Sequence, residues 1–471
     1  MCVPSAAMMR VAVAIVPEVR QLLAEDPSEL SALLEEMHDE DIADLVNLLE
    51  DEEAAKLLKA LKAEEAAPIF ERLDEETQET LVETMGFESI APIVSEMAAD
   101  ERTDFIEALP EKVGDTLLES VERFDPEAAA EVEQLAKWPE DSAGGLMTTD
   151  YVSVTEDLTV SAVIERIRAN ADKAETVYYV YVVTEKNRLR GVASLRDILL
   201  AAPSDLMKNV MTENVVTVSP ETDQEEVAKM MAKYDFYALP VLGSDRKLLG
   251  VITVDDVMDV LTQEQTEDVQ KLGGIEPTSE GYFQTGFWTF VRKRLVWLAV
   301  MFVGEFFTGT AMRHYDHVLE AVAKLSFYVP LLISTGGNSG SQSSTLIIRG
   351  LATGDVKPSD FWRILARETG QGLVLGVALG LIGMGRVYLW NDGAPFMWTI
   401  GGTLVAMCVL GCTVGSMFPL LLRRLGLDPA TSSAPFIASL VDVLGIVVYI
   451  NIAKWFLADV IAQASLHHGG G

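Results

Sequence analysis

The charge of this chain is divided between two halves suited to different solvents. Residues 1–290 carry 62 Asp and Glu against 23 Lys and Arg, whereas residues 291–471 carry 10 against 13. Charge is costly in lipid, where every backbone polar group also needs an internal partner. The nearly neutral, apolar second half therefore reads as a helical bundle solvated by membrane. Negative charge as dense as that of the first half repels itself unless cations are recruited. An acidic soluble part joined to a membrane part points to chemistry that involves cations.

The 471 residues leave room for about three domains at roughly 150 residues each. The cysteines are Cys2, Cys408 and Cys412. They make no disulfide framework, and the last two, four apart in an apolar run, read as small hydrophobes on one helix face. The opening MCVPSAAMMRVAVAIVPEV is apolar but short and broken by Pro17, so it reads as an extension or early helix, not an export signal. The closing HHGGG reads as a free end and not as a metal site. No phosphate-binding glycine loop, zinc-ligand cluster or nucleophile triad appears, so the chain does not read as an enzyme. Nothing in it points to nucleic acid.

From about residue 20 to 137 apolar residues recur at three and four, punctuated by acidic starts such as Asp39-Glu40 and Asp74-Glu75. Carboxylates there meet the positive end of the helix dipole. Short helices every dozen residues predict a small superhelix. From Met147 two units of about 60 residues follow, each reading strand, helix, strand, turn, strand, helix. One element recurs at identical spacing: Gly191-Val-Ala-Ser194-Leu-Arg196-Asp197, then Gly250-Val-Ile-Thr253-Val-Asp255-Asp256. The pair resembles tandem CBS domains. In nucleotide-binding members such Ser/Thr and Asp groups contact ribose, which implies a nucleotide site (ATP is admitted) with Tyr179, Arg196, Asp197 and Phe236 around it. Beyond the pair, Glu264, Glu267 and Asp268 share one helix face, and Asp256 and Asp259 are three apart. Such stacked carboxylates read either as a solvated face or as divalent-cation ligands; the second reading is favoured because this segment joins the sensor to the membrane half.

Five apolar stretches follow, at about 293–313, 324–347, 369–390, 398–422 and 434–458, each long enough for about 30 Å of hydrocarbon. Arg292, Lys293, Arg294, Arg349, Lys357, Arg363, Arg367, Arg423 and Arg424 all fall on one side if the N-terminus is cytoplasmic. The C-terminus is then outside. The second stretch contains the small, polar run Ser334 to Ser344, which suits close helix packing or a wet path. The fifth contains Asp442, and an ionisable group inside a span is functional by default. Glu305 in the first either lines a path or is protonated against a neighbour.

The order of these parts is similar to the MgtE family of magnesium channels and transporters. WPEDSAGGLMT, TVDDVMDVL, EDVQKLG, FYVPLL, TGGNSGSQSSTLIIR, RRLGLDPA and LVDVLGIVVYI carry the resemblance over residues 20–460. It implies an all-α superhelical N-domain, α/β tandem CBS domains and a transmembrane bundle of five helices. The boundaries are an extension at 1–20, the acidic helical domain at 21–138, CBS units at 139–200 and 201–261, a linking helix at 262–290, the pore domain at 291–460 and a tail at 461–471. It further implies a homodimer in the plasma membrane (the inner membrane of a bacterium), surrounded by lipid, with the pore between protomers and Asp442 recognising the ion. One departure is Ser341, where the family often has Asn.

Mg²⁺ keeps its water reluctantly, so a pore should recognise a hydrated ion through few carboxylates. Asp442 with Gly337, Asn338 and Ser341 fits that demand, and Asp428 is either a gate ligand or a helix cap. Rising cytoplasmic Mg²⁺ is expected to bridge Asp100, Asp223, Glu225, Asp235, Asp256, Asp259, Glu264, Glu267 and Asp268 and shut the path. Mn²⁺ and Co²⁺ stay open as further cargo. The competing class is a nucleotide-regulated transporter of another divalent cation.

Overall fold

The computed structural model describes residues 8–25, 29–35, 37–171, 174–278, 281–283 and 285–462. The expected tail and the first seven residues of the extension lie outside these, apart from 461 and 462. The chain divides into two units, Met1–Thr262 and Gln263–Gly471.

The first unit opens with helices that pack on the helix two places further along. Asp39–Val46 lies on Ala63–Glu71, that on Phe87–Ser95, and that on Glu111–Phe124, the pattern of the expected superhelix. Capping carboxylates start two further helices of the array, Glu75–Met85 and Pro126–Leu135: Asp74 accepts the Thr77 N–H, and Asp125 those of Glu127 and Ala128. Leu45, Leu57, Phe70, Ile90 and Leu117 fill the interior. Arg102 is also buried, donating to the Val94, Met97 and Ala128 carbonyls and to Glu131. The boundary drawn at residue 20 falls inside a helix, Met8–Glu25, that runs through Pro17. Val16, Val19, Leu22 and Leu23 at helical spacing pack into the same interior, so this helix belongs to the array.

In the repeated part, β1 (Tyr151–Val154) pairs parallel with β2 (Thr176–Val183), which pairs antiparallel with β3 (Leu189–Ser194). In the second repeat β4 (Ala238–Leu242) pairs antiparallel with β5 (Leu248–Thr253), and the expected first strand is reduced to a bridge from Val218 to Val241. Thr148 bridges to Val251 of β5, and Thr212 to Val192 of β3. Those crossings explain the repeated glycines. A Cβ on Gly191 would lie 2.9 Å from the Thr212 carbonyl oxygen, and one on Gly250 would lie 2.6 Å from that of Thr148.

The second unit is built on five long helices: Phe287–His314, Lys324–Ala352, Phe361–Trp390, Ala394–Arg424 and Ala434–Phe456. All except Lys324–Ala352 are long and apolar enough to cross a bilayer. That second helix is long enough at 29 residues, but Ser, Thr, Asn and Gln through its middle lower its hydropathy. It packs instead on the fourth and fifth helices. Contact is close to backbone on backbone. A Cβ on Gly415 of the fourth would lie 2.1 Å from the Gly340 oxygen, and one on Gly372 of the third would lie 2.8 Å from the Val409 Cα.

Candidate functional site

In the second unit, Asp442 and Gly337 meet across the fifth and second long helices. A Cβ on Gly337 would stand 3.2 Å from the Ala438 Cβ and 3.6 Å from Asp442 Oδ1, so the glycine leaves open the space in front of the carboxylate. Asp442 is half-buried, and Asn338, which follows Gly337, is exposed, its amide donating weakly to Ser334 Oγ at 3.4 Å. Ser341 faces the start of the fifth helix and donates to the Ala434 carbonyl at 3.0 Å. Its hydroxyl therefore ties two helices together here. Glu305 is exposed on the first helix and acts electrostatically on Asp442, and Gly304 beside it approaches Ser439.

Asp428 and Glu267 converge, but on a residue that the sequence reading passed over. Lys271 donates to Asp428 Oδ2 at 2.7 Å and pairs with Glu267 one turn back. Asp428 Oδ1 accepts the Ala430 N–H at 2.8 Å, so this carboxylate both caps a turn and holds the ammonium. Partial burial works against the charge of Lys271, yet the two carboxylates outweigh it and raise its pKa. Glu264 and Asp268 are half-buried on the same helix, Val254–Leu272.

In the first unit the helix Ala99–Ala108 carries Asp100, Glu101 and Asp104 toward the second repeat. Ala99 and Leu135 share an apolar cluster with Val227, Met231, Val257 and Val260. Asp100 is only 8% exposed, and among the described residues its Oδ1 has no hydrogen-bond partner. Burial, then Asp256, Glu101 and Glu175, lifts its pKa well above the ordinary carboxylate range. Glu101, Asp104 and Glu175 keep one side in solvent, and crowding by the surrounding protein takes the other out of it. That partial desolvation, with Glu71, Asp104, Asp256 and Asp259, raises Glu101 to about 8; with Glu140, Glu107 and Asp256 it raises Asp104 to about 7, and with Asp256 and Asp255 it raises Glu175 to about 7. Asp256 is itself raised, chiefly by burial, although Thr253 donates to it through Oγ1 at 2.6 Å and opposes the shift.

Among the described residues this face brings like charges close together. Glu101, Asp104 and Glu175 belong to it and were not singled out from sequence; the short ADERTDF helix was the available signal. Three further expected ion ligands make local contacts. Asp223 caps Gln224–Tyr234 through the Glu225 N–H, Glu225 pairs with Lys229 at 2.6 Å, and Asp235 takes the left-handed position that ends the helix. Among the described residues no three His, Cys, Asp or Glu side chains converge tightly enough to ligate a bare ion.

The repeats also enclose a cavity of about 210 Å³, lined among others by Tyr179, Tyr181, Ser194, Asp197, Asn214 and Phe236. Ser194 Oγ donates to Asp197 Oδ2 at 2.6 Å, that carboxylate also accepts the Ser194 N–H, and Ser194 Oγ accepts the Asp197 N–H, a reciprocal cap of the helix Leu195–Leu200. Arg196 is exposed on that helix and does not line the cavity. An aromatic wall opposite a hydroxyl–carboxylate pair is suited to a base with its sugar.

A polar helix behind an intramembrane carboxylate, joined to an acidic regulatory part, defines a membrane transport protein for cations. The profile of the family described as divalent cation transporter (MgtE) matches residues 329–452, the MgtE intracellular N domain matches 37–141, and CBS domains match 143–204 and 207–263. The magnesium transporter MgtE of Thermus thermophilus is 46% identical over 338 residues, 72% of this chain and 75% of that protein. That of Enterococcus faecalis is 36% identical over 70% of this chain and 72% of its own length. The solved soluble part of a magnesium transporter superposes with a TM-score of 0.50 at 30% identity, covering 55% of this chain and 98% of that one. This chain belongs to the MgtE family. It is an integral membrane protein, and its helical N-domain corresponds to the family's intracellular domain.

Proposed function

We propose that this chain admits Mg²⁺ to the cytoplasm across a bacterial plasma membrane and is closed by cytoplasmic Mg²⁺. The observation that carries the reading is Asp442 facing the gap left by Gly337 within the spanning bundle. One carboxylate from each of two protomers, with backbone carbonyls and the Asn338 amide nearby, would hold a hydrated ion without trapping it. The working unit is a homodimer with its C-terminus outside, consistent with the nine basic residues expected on the inner side.

Closure uses the repulsion within the first unit. Asp100, Glu101, Asp104, Glu175, Asp256 and Asp259 raise the energy of the docked arrangement when ionised, and a divalent ion with its water offsets that cost. Glu264, Glu267, Asp268 and Asp428 extend the same chemistry along the linking helix, in competition with Lys271. A second reading, control by a nucleotide and transport of another divalent cation such as Mn²⁺ or Co²⁺, is favoured by the cavity of Tyr179, Phe236 and Asp197. We assign that cavity to ATP or a related nucleotide.

The test is Mg²⁺ uptake into proteoliposomes by the whole chain. Asp442→Asn is expected to abolish uptake, and a Glu101→Gln/Asp256→Asn pair to leave uptake running at high cytoplasmic-side Mg²⁺. Uptake unchanged in Asp442→Asn sinks the path. Normal shut-off in the pair, lost instead in Asp197→Ala, moves control to the nucleotide.

A further inference from the structure

Glu368 takes no part in the path or the acidic face, yet it is one of the least expected side chains in the bundle. It lies on the third long helix, only 5% exposed. Burying a carboxylate among spanning helices is costly unless it is engaged. It is engaged by a hydroxyl: Ser343 Oγ of the second helix donates to Glu368 Oε2 at 2.7 Å.

The second helix is held from two sides. On one edge Ser341 donates to the carbonyl of Ala434, which starts the fifth helix, and Ser344 to that of Ser432, which precedes it. On the other, Ser339 makes a long contact to Cys408 Sγ at 3.7 Å, and Ser343 makes the short one to Glu368. Between them Gly336 and Gly340 touch the backbone of the fourth helix at Gly411 and Gly415. Met407, Ile437 and Val441 pack around these glycines and set the distance between helices, while the hydroxyl bonds on the two edges add the directional ties that apolar packing lacks. Ser343 follows Gly337 by six residues, so a small rotation about the helix axis carries Gly337 and Asn338 away from Asp442.

We propose that Glu368 is a positioning residue: by accepting the Ser343 hydroxyl it fixes the rotation of the second helix and so the placement of Gly337 and Asn338 opposite Asp442. This rests on the path reading above. An acceptor is what the role needs, so glutamine replaces it and alanine does not.

The experiment compares Glu368→Gln, Glu368→Ala, Ser343→Ala and Ser343→Ala/Glu368→Ala in the whole chain, by Mg²⁺ uptake into proteoliposomes. Independently, thiol-modification rates are measured for Asn338→Cys in each background. Loss of one short hydrogen bond to a carboxylate is expected to cost about tenfold in uptake. The double variant should match either single alanine variant, Glu368→Gln should stay within about twofold of wild type, and labelling at position 338 should change in the alanine backgrounds alone. Additive losses, a silent Ser343→Ala, or a Glu368→Gln as damaged as Glu368→Ala overturns the proposal. Ser343→Ala removes a single hydroxyl and decides the matter if Glu368→Ala does not fold. Should Asp442→Asn transport normally, the path reading fails, while unchanged labelling at position 338 defeats the positioning role separately.

Discussion

Glu101 lies between Glu71, Asp104, Asp256 and Asp259, and its pKa is raised from 4.5 to about 8. A carboxylate raised by folding is protonated more readily in the native state than in the unfolded one. It therefore costs nothing below pH 4 and increasingly opposes the folded, docked unit as pH climbs to 8, beyond which the cost is constant. Glu101 is exposed on one side, so solvent screens these repulsions and only part of the full linkage, on the order of 1 kcal/mol between pH 6 and 8, reaches the opening equilibrium. A difference of about 1 kcal/mol is a factor of roughly 5 in that equilibrium. The perturbation is Glu101→Gln, which keeps the shape and removes the titration. The assay is amide hydrogen exchange of the Ala99–Ala108 helix in the Mg²⁺-free whole chain at pH 6 and 8, corrected for intrinsic exchange. Protection in the wild type is expected to fall more steeply with pH than in Glu101→Gln, by about that factor, and millimolar Mg²⁺ should remove the difference. Equal slopes, or protection that rises with pH in the wild type alone, would refute the electrostatic account.

Two other perturbations follow from single contacts. Arg102→Met leaves the Val94, Met97 and Ala128 carbonyls without their donor and is expected to destabilise the helical array by about 3 kcal/mol, read as a lower denaturant midpoint. Lys271→Met frees Glu267 and Asp428 for a divalent ion, so half-maximal shut-off of uptake should move to lower Mg²⁺; movement to higher Mg²⁺ would mean the ammonium itself holds the closed state.

The architecture was legible because its signals are local. Helix starts, the repeated Gly191 and Gly250 elements and long apolar runs are each set by neighbours within a few residues. The acidic face was half legible for a related reason. Asp100, Asp256 and Asp259 stood out, but Glu101, Asp104 and Glu175 come from separate segments in a half where carboxylates are everywhere, and only the packing of Ala99 and Leu135 on the second repeat selects them. Lys271 escaped notice because attention to stacked carboxylates hides the one cation a turn away. Glu368 sits in RETG near the start of a span, where a charge ordinarily reads as a water-facing end; its burial depends on Ser343 of another helix.

The two repeats use one capping device for different ends. Ser194 and Asp197 in the first, and Thr253 and Asp256 in the second, are joined by hydrogen bonds of 2.6 Å at the same place in the motif. The first pair lines the cavity with Tyr179 and Phe236. The second lies under the helix Ala99–Ala108, where Asp256 acts on Asp100, Glu101, Asp104 and Glu175. A phosphate-bearing ligand approaching that second carboxylate would meet a field of its own sign, so duplication of the motif does not duplicate the nucleotide site. The expectation is one nucleotide per chain by calorimetry, lost in Asp197→Ala and retained in Asp256→Asn, with Mg²⁺-dependent protection of the Ala99–Ala108 helix responding in the opposite order. Two equivalent nucleotides per chain, or loss of binding in both variants, would mean that the acidic face has not diverted the second repeat from the role of the first.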